Sequence, residues 1–209
     1  MVNKMSLFIT FEGGEGCGKS TQSRILYRRL KKLAVPLLLI HEPGITSLGK
    51  KVTQLLKWSK GINISSLAEL LLFNASRTQL VSEIIKPNLE KGIVVLCDRF
   101  ADSTTAYQGY GRGLDLNTVK AANALGTQGL VPNLTILLDI TVEKGIERNK
   151  EKIPDRFEKE NVNFHRRVRE GYLKLAKAEP KRWLVIDATK SKQEIAEIIW
   201  QRVSKILPK

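Results

Sequence analysis

The 209 residues hold 42% hydrophobic content, and 35 Lys and Arg against 21 Asp and Glu leave a formal net charge of +14. That length fits one core, no apolar run approaches the roughly 20 residues of a membrane-spanning helix, and two cysteines exclude a disulfide framework. The N-terminus lacks the small-residue cleavage site of a secretory signal, so a cytoplasmic location is expected, and the charge selects anionic partners.

In chain order, the apolar run 7–11 leads into GGEGCGKS at residues 13–20, which matches G-x-x-x-x-G-K-[ST]. A helix-period segment with Leu26, Leu30 and Leu33 follows. Strand, glycine-rich loop and helix start in that order make a phosphate cradle. Glycines let successive N–H groups converge on phosphate oxygens, and the helix dipole adds positive potential. Gly13, Gly14, Glu15, Gly16, Cys17, Gly18, Lys19, Ser20 and Thr21 are therefore assigned to the phosphates of a nucleoside triphosphate. Lys19 reaches the β- and γ-phosphates, and the Ser20 hydroxyl is a ligand for Mg2+.

Apolar runs recur at 36–40, 93–97, 134–138 and 183–186. Without polar alternation and with helical segments between them, they predict a doubly wound α/β fold on a five-stranded parallel sheet. Phe73 and Arg77, four residues apart on a predicted helix, point the same way, as a core phenylalanine beside a surface arginine or as a pair facing one ligand. The run 93–97 ends at Asp98, where an acid at a strand tip can hold the Mg2+ hydration shell. The polar stretch 149–163, with Pro154 and mixed charges, interrupts the helical pattern and is read as a mobile flap. The stripes Val168, Tyr172, Leu175 and Ile195, Ile198, Ile199, Val203 give the later helices. No repeat or linker divides residues 1–209, so one domain is expected. No basic stretch interleaves with aromatics, so neither nucleic acid nor a membrane is expected as a partner.

The segment DRFADSTTAYQGYGRGL at 98–114 resembles the thymidylate kinase stretch DR[YF]-x-x-S-x-x-AYQG-x-GRGL. The resemblance extends to the phosphate loop, HEPG at 41–44, LLFNASR at 71–77 and DRFE at 155–158. It implies a three-layer α/β/α P-loop fold with a helical lid at about 148–160. It also implies transfer of the γ-phosphoryl of ATP to dTMP, giving ADP and dTDP toward dTTP, with Mg2+ and a homodimer. By the same resemblance, Phe73 and Arg77 hold thymine and Arg99 binds the acceptor phosphate. Ser103, Thr104 and Gln108 complete the dTMP site, Tyr107 excludes a 2′-hydroxyl, and Glu15 lies near the acceptor sugar and the metal. The family's transition-state arginine comes from the phosphate loop or the lid, and this loop has none. The lid, with Arg148, Lys150, Lys152 and Arg156, is therefore expected to supply it. Arg156 is assigned to the transferred phosphoryl and Arg148 to adenine. Two departures from the family pattern, His41 before EPG and Ile45 after it, predict a changed backbone path near the acceptor phosphate, since Ile45 resists positive φ.

Overall fold

The computed structural model describes residues 7–59, 61–151 and 153–207. The five apolar runs become strands β1 (Phe8–Glu12), β2 (Leu37–His41), β3 (Val94–Asp98), β4 (Leu134–Asp139) and β5 (Trp183–Asp187). All pair in parallel, in the order β2-β3-β1-β4-β5. Each strand runs one residue past its apolar run and ends on a polar side chain, Glu12, His41, Asp98, Asp139 or Asp187. The C-terminal ends of parallel strands emerge from the covering helices, and there the sheet turns from core into site.

The helices are α1 (Lys19–Lys32), α2 (Ser47–Trp58), α3 (Ser66–Leu80), α4 (Lys86–Glu90), α5 (Ala101–Thr104), α6 (Leu116–Thr127), α7 (Val142–Arg148), α8 (Val162–Ala178) and α9 (Lys192–Val203). α3 continues into α4 through π-helical turns at Val81–Ile85, just before Pro87, whose missing N–H and bulky ring an α-helical ladder could not accommodate. α5 continues as a second π segment, Thr105–Gly111, which carries Tyr107 and Gln108. α8 lies close against it because Gly111 has no Cβ; one there would meet the Phe164 ring at 2.7 Å.

Strand alternation sorts side chains between the two faces. Ile9, Phe11, Val94, Leu96, Leu134, Ile136 and Leu138 pack under α1 and α9, with Leu26, Leu30, Ile195 and Ile199. Phe8, Val95 and Cys97 face the other way, against Val81, Ile85 and Phe100. On that second face Leu137 and Trp183 meet Val168 and Tyr172 of α8. Both cysteines are buried free thiols. Among the described residues no helix is long and apolar enough to cross a membrane.

Between α7 and α8 the described residues form turns at 149–151 and 156–159 with irregular backbone at 153–155, so the lid is helical only at its flanks. Lys152, expected among its cations, lies outside the described residues. In the loop after β2, Gly44 takes the positive φ, 116°, and Ile45 is spared it.

Candidate active site

Gly13, Gly16 and Gly18 hold positive φ in the turn between β1 and α1. At Gly16 a Cβ would lie 2.2 Å from the Gly145 carbonyl oxygen, so the loop reaches α7 only as glycine. Lys19 is buried, and its ammonium donates to the carbonyls of Gly13 at 3.0 Å and Gly14 at 2.7 Å, with Cys17 Sγ at 3.5 Å. The charge rests on its own loop. Asp98 has the strand parity of Val94 and Leu96, which sends it to the α1 side, and there the Ser20 hydroxyl donates to its Oδ2 at 2.5 Å. An open cleft is lined by Gly16, Gly18, Lys19, Ser20, Thr21, Asp98, Arg99 and Arg148.

A second cleft is lined by Phe73, Arg77, Arg99, Ser103, Thr104, Tyr107 and Gln108. The structure thus gathers the whole expected acceptor set around one cavity. Arg99, Glu15, Glu42, Pro43 and Lys57 line both clefts, which makes them two ends of one groove.

Arg99 sits at φ 71°, a strained value for a residue with a Cβ, held by its N–H on the Phe11 carbonyl at 2.9 Å. Its guanidinium pairs with Glu15 at 2.5 Å and donates to Gly13 O, Ser103 Oγ and the hydroxyls of Tyr107 and Tyr172, each at 3.2 Å. Burial alone would raise the Glu15 carboxyl, but Arg99, Lys19 and the Tyr107 hydroxyl outweigh it and hold the group at about 2. Arg77 is buried, with all its donors engaged. Nε and Nη2 meet Glu42, Nη1 donates to Asn74 and Asn123, and Nη2 donates to Thr104 Oγ1 at 2.7 Å. The 2.8 Å contact from Nη2 to Glu42 Oε1 is an ion pair without hydrogen-bond alignment. Thr104, expected at the pyrimidine, therefore orients Arg77 in this arrangement. The Phe73 ring packs 5.6 Å from Phe157 of the lid.

Arg156 is not above the phosphate loop, where it was expected. Its Nη2 pairs with Glu69 at 2.5 Å, Nε donates to the Leu56 carbonyl at 2.7 Å, and the guanidinium lies over Phe157. The cause is local: Glu69 is buried and draws in the nearest cations, while Lys57 takes Asp155 at 2.9 Å. Arg148 does reach the cleft lined by Lys19 and Ser20, and its Nη1 donates to Ala188 O at 3.0 Å, just past β5. Lys150 is exposed, 4.0 Å from Glu147.

Sequence reasoning missed four acids and a tyrosine. Glu12, which alternation points to the α8 side, accepts from Phe100 N, Ser103 Oγ and Tyr172 OH. Burial, with Asp102 adding to it, raises its carboxyl to about 7 against the opposing pull of Ser103 and Arg99. Glu42 neutralises Arg77, Glu69 gathers Arg112 and Arg156, and Asp155 anchors the lid. The available signals were Glu12 at the step from strand to loop and Glu69 in phase with Phe73 and Arg77.

The family model for thymidylate kinase matches residues 11–199. A thymidylate kinase of Dehalococcoides mccartyi is 59% identical over 203 residues, covering 97% of this chain and 98% of the relative. One from Halothermothrix orenii is 49% identical over 207 residues, covering 97% and 99%. The crystal structure of thymidylate kinase from Ehrlichia chaffeensis aligns with a TM-score of 0.77 at 35% identity, covering 95% of this chain and 98% of that one. With its groove, its phosphate loop and these whole-length matches, the chain belongs to the thymidylate kinase family.

Proposed function

We propose that this chain transfers the γ-phosphoryl of ATP to the 5′-phosphate of dTMP, giving ADP and dTDP on the route to dTTP, and that it works in the cytoplasm. The observation that carries this reading is Arg99. It lines both ends of one groove, so an acceptor phosphate beside it meets a triphosphate held at Lys19. The nucleophile is an oxygen of the acceptor phosphate and is already anionic, so no general base is required. Alignment and charge stabilisation supply the catalysis.

Lys19 leaves the carbonyls of Gly13 and Gly14 for the β- and γ-phosphates, the amides of residues 13–21 cradle them, and Arg99 grips the acceptor phosphate. Glu15, held ionised, aims Arg99 and lies at the sugar side, where the Tyr107 ring leaves no room for a 2′-hydroxyl. Phe73 stacks on thymine, Arg77 faces its carbonyl edge, Ser103 and Thr104 steady Arg99 and Arg77, and Gln108 meets the base edge. Arg148, held by the Ala188 carbonyl, borders the adenine end. Arg156 tethers the lid to Glu69 and serves the phosphoryl group only indirectly.

The Ser20 hydroxyl and the Asp98 carboxylate are hard oxygen donors side by side on the open side of the loop. They fit Mg2+, which takes one or two protein oxygens and fills its remaining positions with phosphate and water. When bound there, the ion neutralises phosphate charge. The exposed Leu67 and Leu71 of α3 and Leu125 of the adjoining α6 support a homodimer, checked by sedimentation equilibrium.

A coupled ADP-release assay across the nucleoside monophosphates tests the reading. dTMP is expected to be turned over fastest, and equal turnover of uridine, cytidine or guanosine monophosphate would overturn the acceptor assignment.

A further inference from the structure

Glu69 has no part in the transfer described so far. It lies on α3 one turn before Phe73 and two before Arg77, so spacings of four and eight residues bring all three to the helix face that meets the groove. Its side chain is 1% exposed, yet it accepts from four donor nitrogens. Oε1 takes Gln108 Nε2 at 2.7 Å and Arg112 Nε at 3.1 Å. Oε2 takes Arg112 Nη2 at 3.2 Å and Arg156 Nη2 at 2.5 Å. Arg112 in turn reaches Glu160 at 2.5 Å, so the lid and the π segment are tied to one carboxylate.

A carboxylate between two guanidiniums only accepts hydrogen bonds, so the atom Gln108 presents to it must be the amide nitrogen. The Gln108 carbonyl oxygen is thereby turned away from Glu69, on a residue that lines the acceptor cleft. Among the described residues no protein group donates to it.

Resting on the thymidylate reading above, we propose that Glu69 is the positioning residue for acceptor-base selectivity. By fixing Gln108 with its carbonyl oxygen toward the base, it matches the N3–H of thymine. The same oxygen sets a lone pair against the unprotonated N3 of cytosine. A buried acceptor that finds no donor discriminates strongly, because the wrong base leaves two groups unpaired.

The test compares kcat/KM for dTMP and dCMP in the full chain and in its Glu69→Gln and Gln108→Met variants, with a melting curve for each. In Glu69→Gln the neighbouring amide both donates and accepts, which frees Gln108 to flip. In Gln108→Met the directed oxygen is gone. Both variants are expected to narrow the dTMP-over-dCMP ratio by about tenfold or more. A ratio unchanged in folded Glu69→Gln, with both substrates falling together, would show that Glu69 only braces the fold and would overturn the proposal. Should Glu69→Gln not fold, Gln108→Met decides, since an unchanged ratio there removes the residue through which Glu69 is said to act. Loss of preference in the unaltered chain would instead sink the thymidylate reading, which keeps the two failures apart.

Discussion

The triphosphate end of the groove is built around one consecutive stretch, 15–21, joined by Asp98, Arg99 and Arg148, whereas the acceptor end takes its lining from segments around residues 15, 42, 57, 73, 99, 107 and 155 that meet only on folding. Their electrostatics differ in the same way. At the triphosphate end Lys19 leans on neutral backbone carbonyls and has no carboxylate partner among the described residues. At and beside the acceptor end each of these arginines already has a carboxylate: Arg99 has Glu15, Arg77 has Glu42, Arg112 and Arg156 have Glu69. One end is built to be filled and the other to hold its shape. Substitutions at the first should therefore change turnover, and at the second stability and selectivity.

The largest expected effect lies at the acceptor end. Arg77→Ala strands Glu42 in the core with no cation, and breaking a buried pair from one side costs about 3–5 kcal/mol. Urea unfolding reads that loss directly, and a stability change under about 1 kcal/mol would mean the pair is not the brace described. Lys19→Ala is the opposite case. We expect kcat to fall about 10²–10³-fold, as for loss of one preorganised charge donor, with unfolding midpoint and dTMP KM little changed. A comparable loss of stability would erase the contrast between the two ends.

Glu12 sharpens the comparison, because it ends β1 three residues before Glu15 and titrates in the opposite direction. Its carboxyl, raised from 4.5 to about 7, binds its proton more tightly in the folded chain than in the unfolded one. The stability this supplies is complete below about 4.5 and is lost as pH rises through about 7. Glu12→Gln cannot titrate. Unfolding free energies measured from about pH 4.5 to 8 should therefore fall more steeply for the unaltered chain, by up to about 3 kcal/mol over that range. Parallel curves would place the Glu12 proton elsewhere. Glu15, lowered to about 2, adds stability above about 4.5 that is lost only as pH falls through about 2, outside this window.

The strands and phosphate loop were legible because their demands are local. A buried parallel strand needs an unbroken apolar run, and a phosphate cradle needs glycine at fixed steps. Phe73, Arg99 and Tyr107 were legible through family resemblance, which carries residue positions but not their partners. Glu69 and Glu42 were not, since a charged residue in a helix or after a strand reads as solvent-facing until the cation that covers it arrives from tens of residues away. The lid shows the limit most clearly. Nothing within DRFE separates an arginine that points at the phosphate loop from one that points at α3; only the tertiary placement of a buried carboxylate does.

Arg156 therefore carries the finest prediction. As a tether its pair with Glu69 is part-exposed, 27% on the arginine side, and Glu69 keeps Arg112 when Arg156 is removed. Arg156→Ala should then cost no more than about 1 kcal/mol of stability and lower kcat by less than about tenfold. A transition-state arginine would behave otherwise, with kcat down by about 10³-fold or more and the fold untouched. The double variant Arg112→Lys/Arg156→Ala separates the cases further. If both arginines serve Glu69, their stability losses exceed the sum of the single changes, because the second removal leaves the carboxylate short of donors. Strict additivity with a collapsed kcat would return Arg156 to the phosphoryl group and leave Glu69 to Arg112 alone.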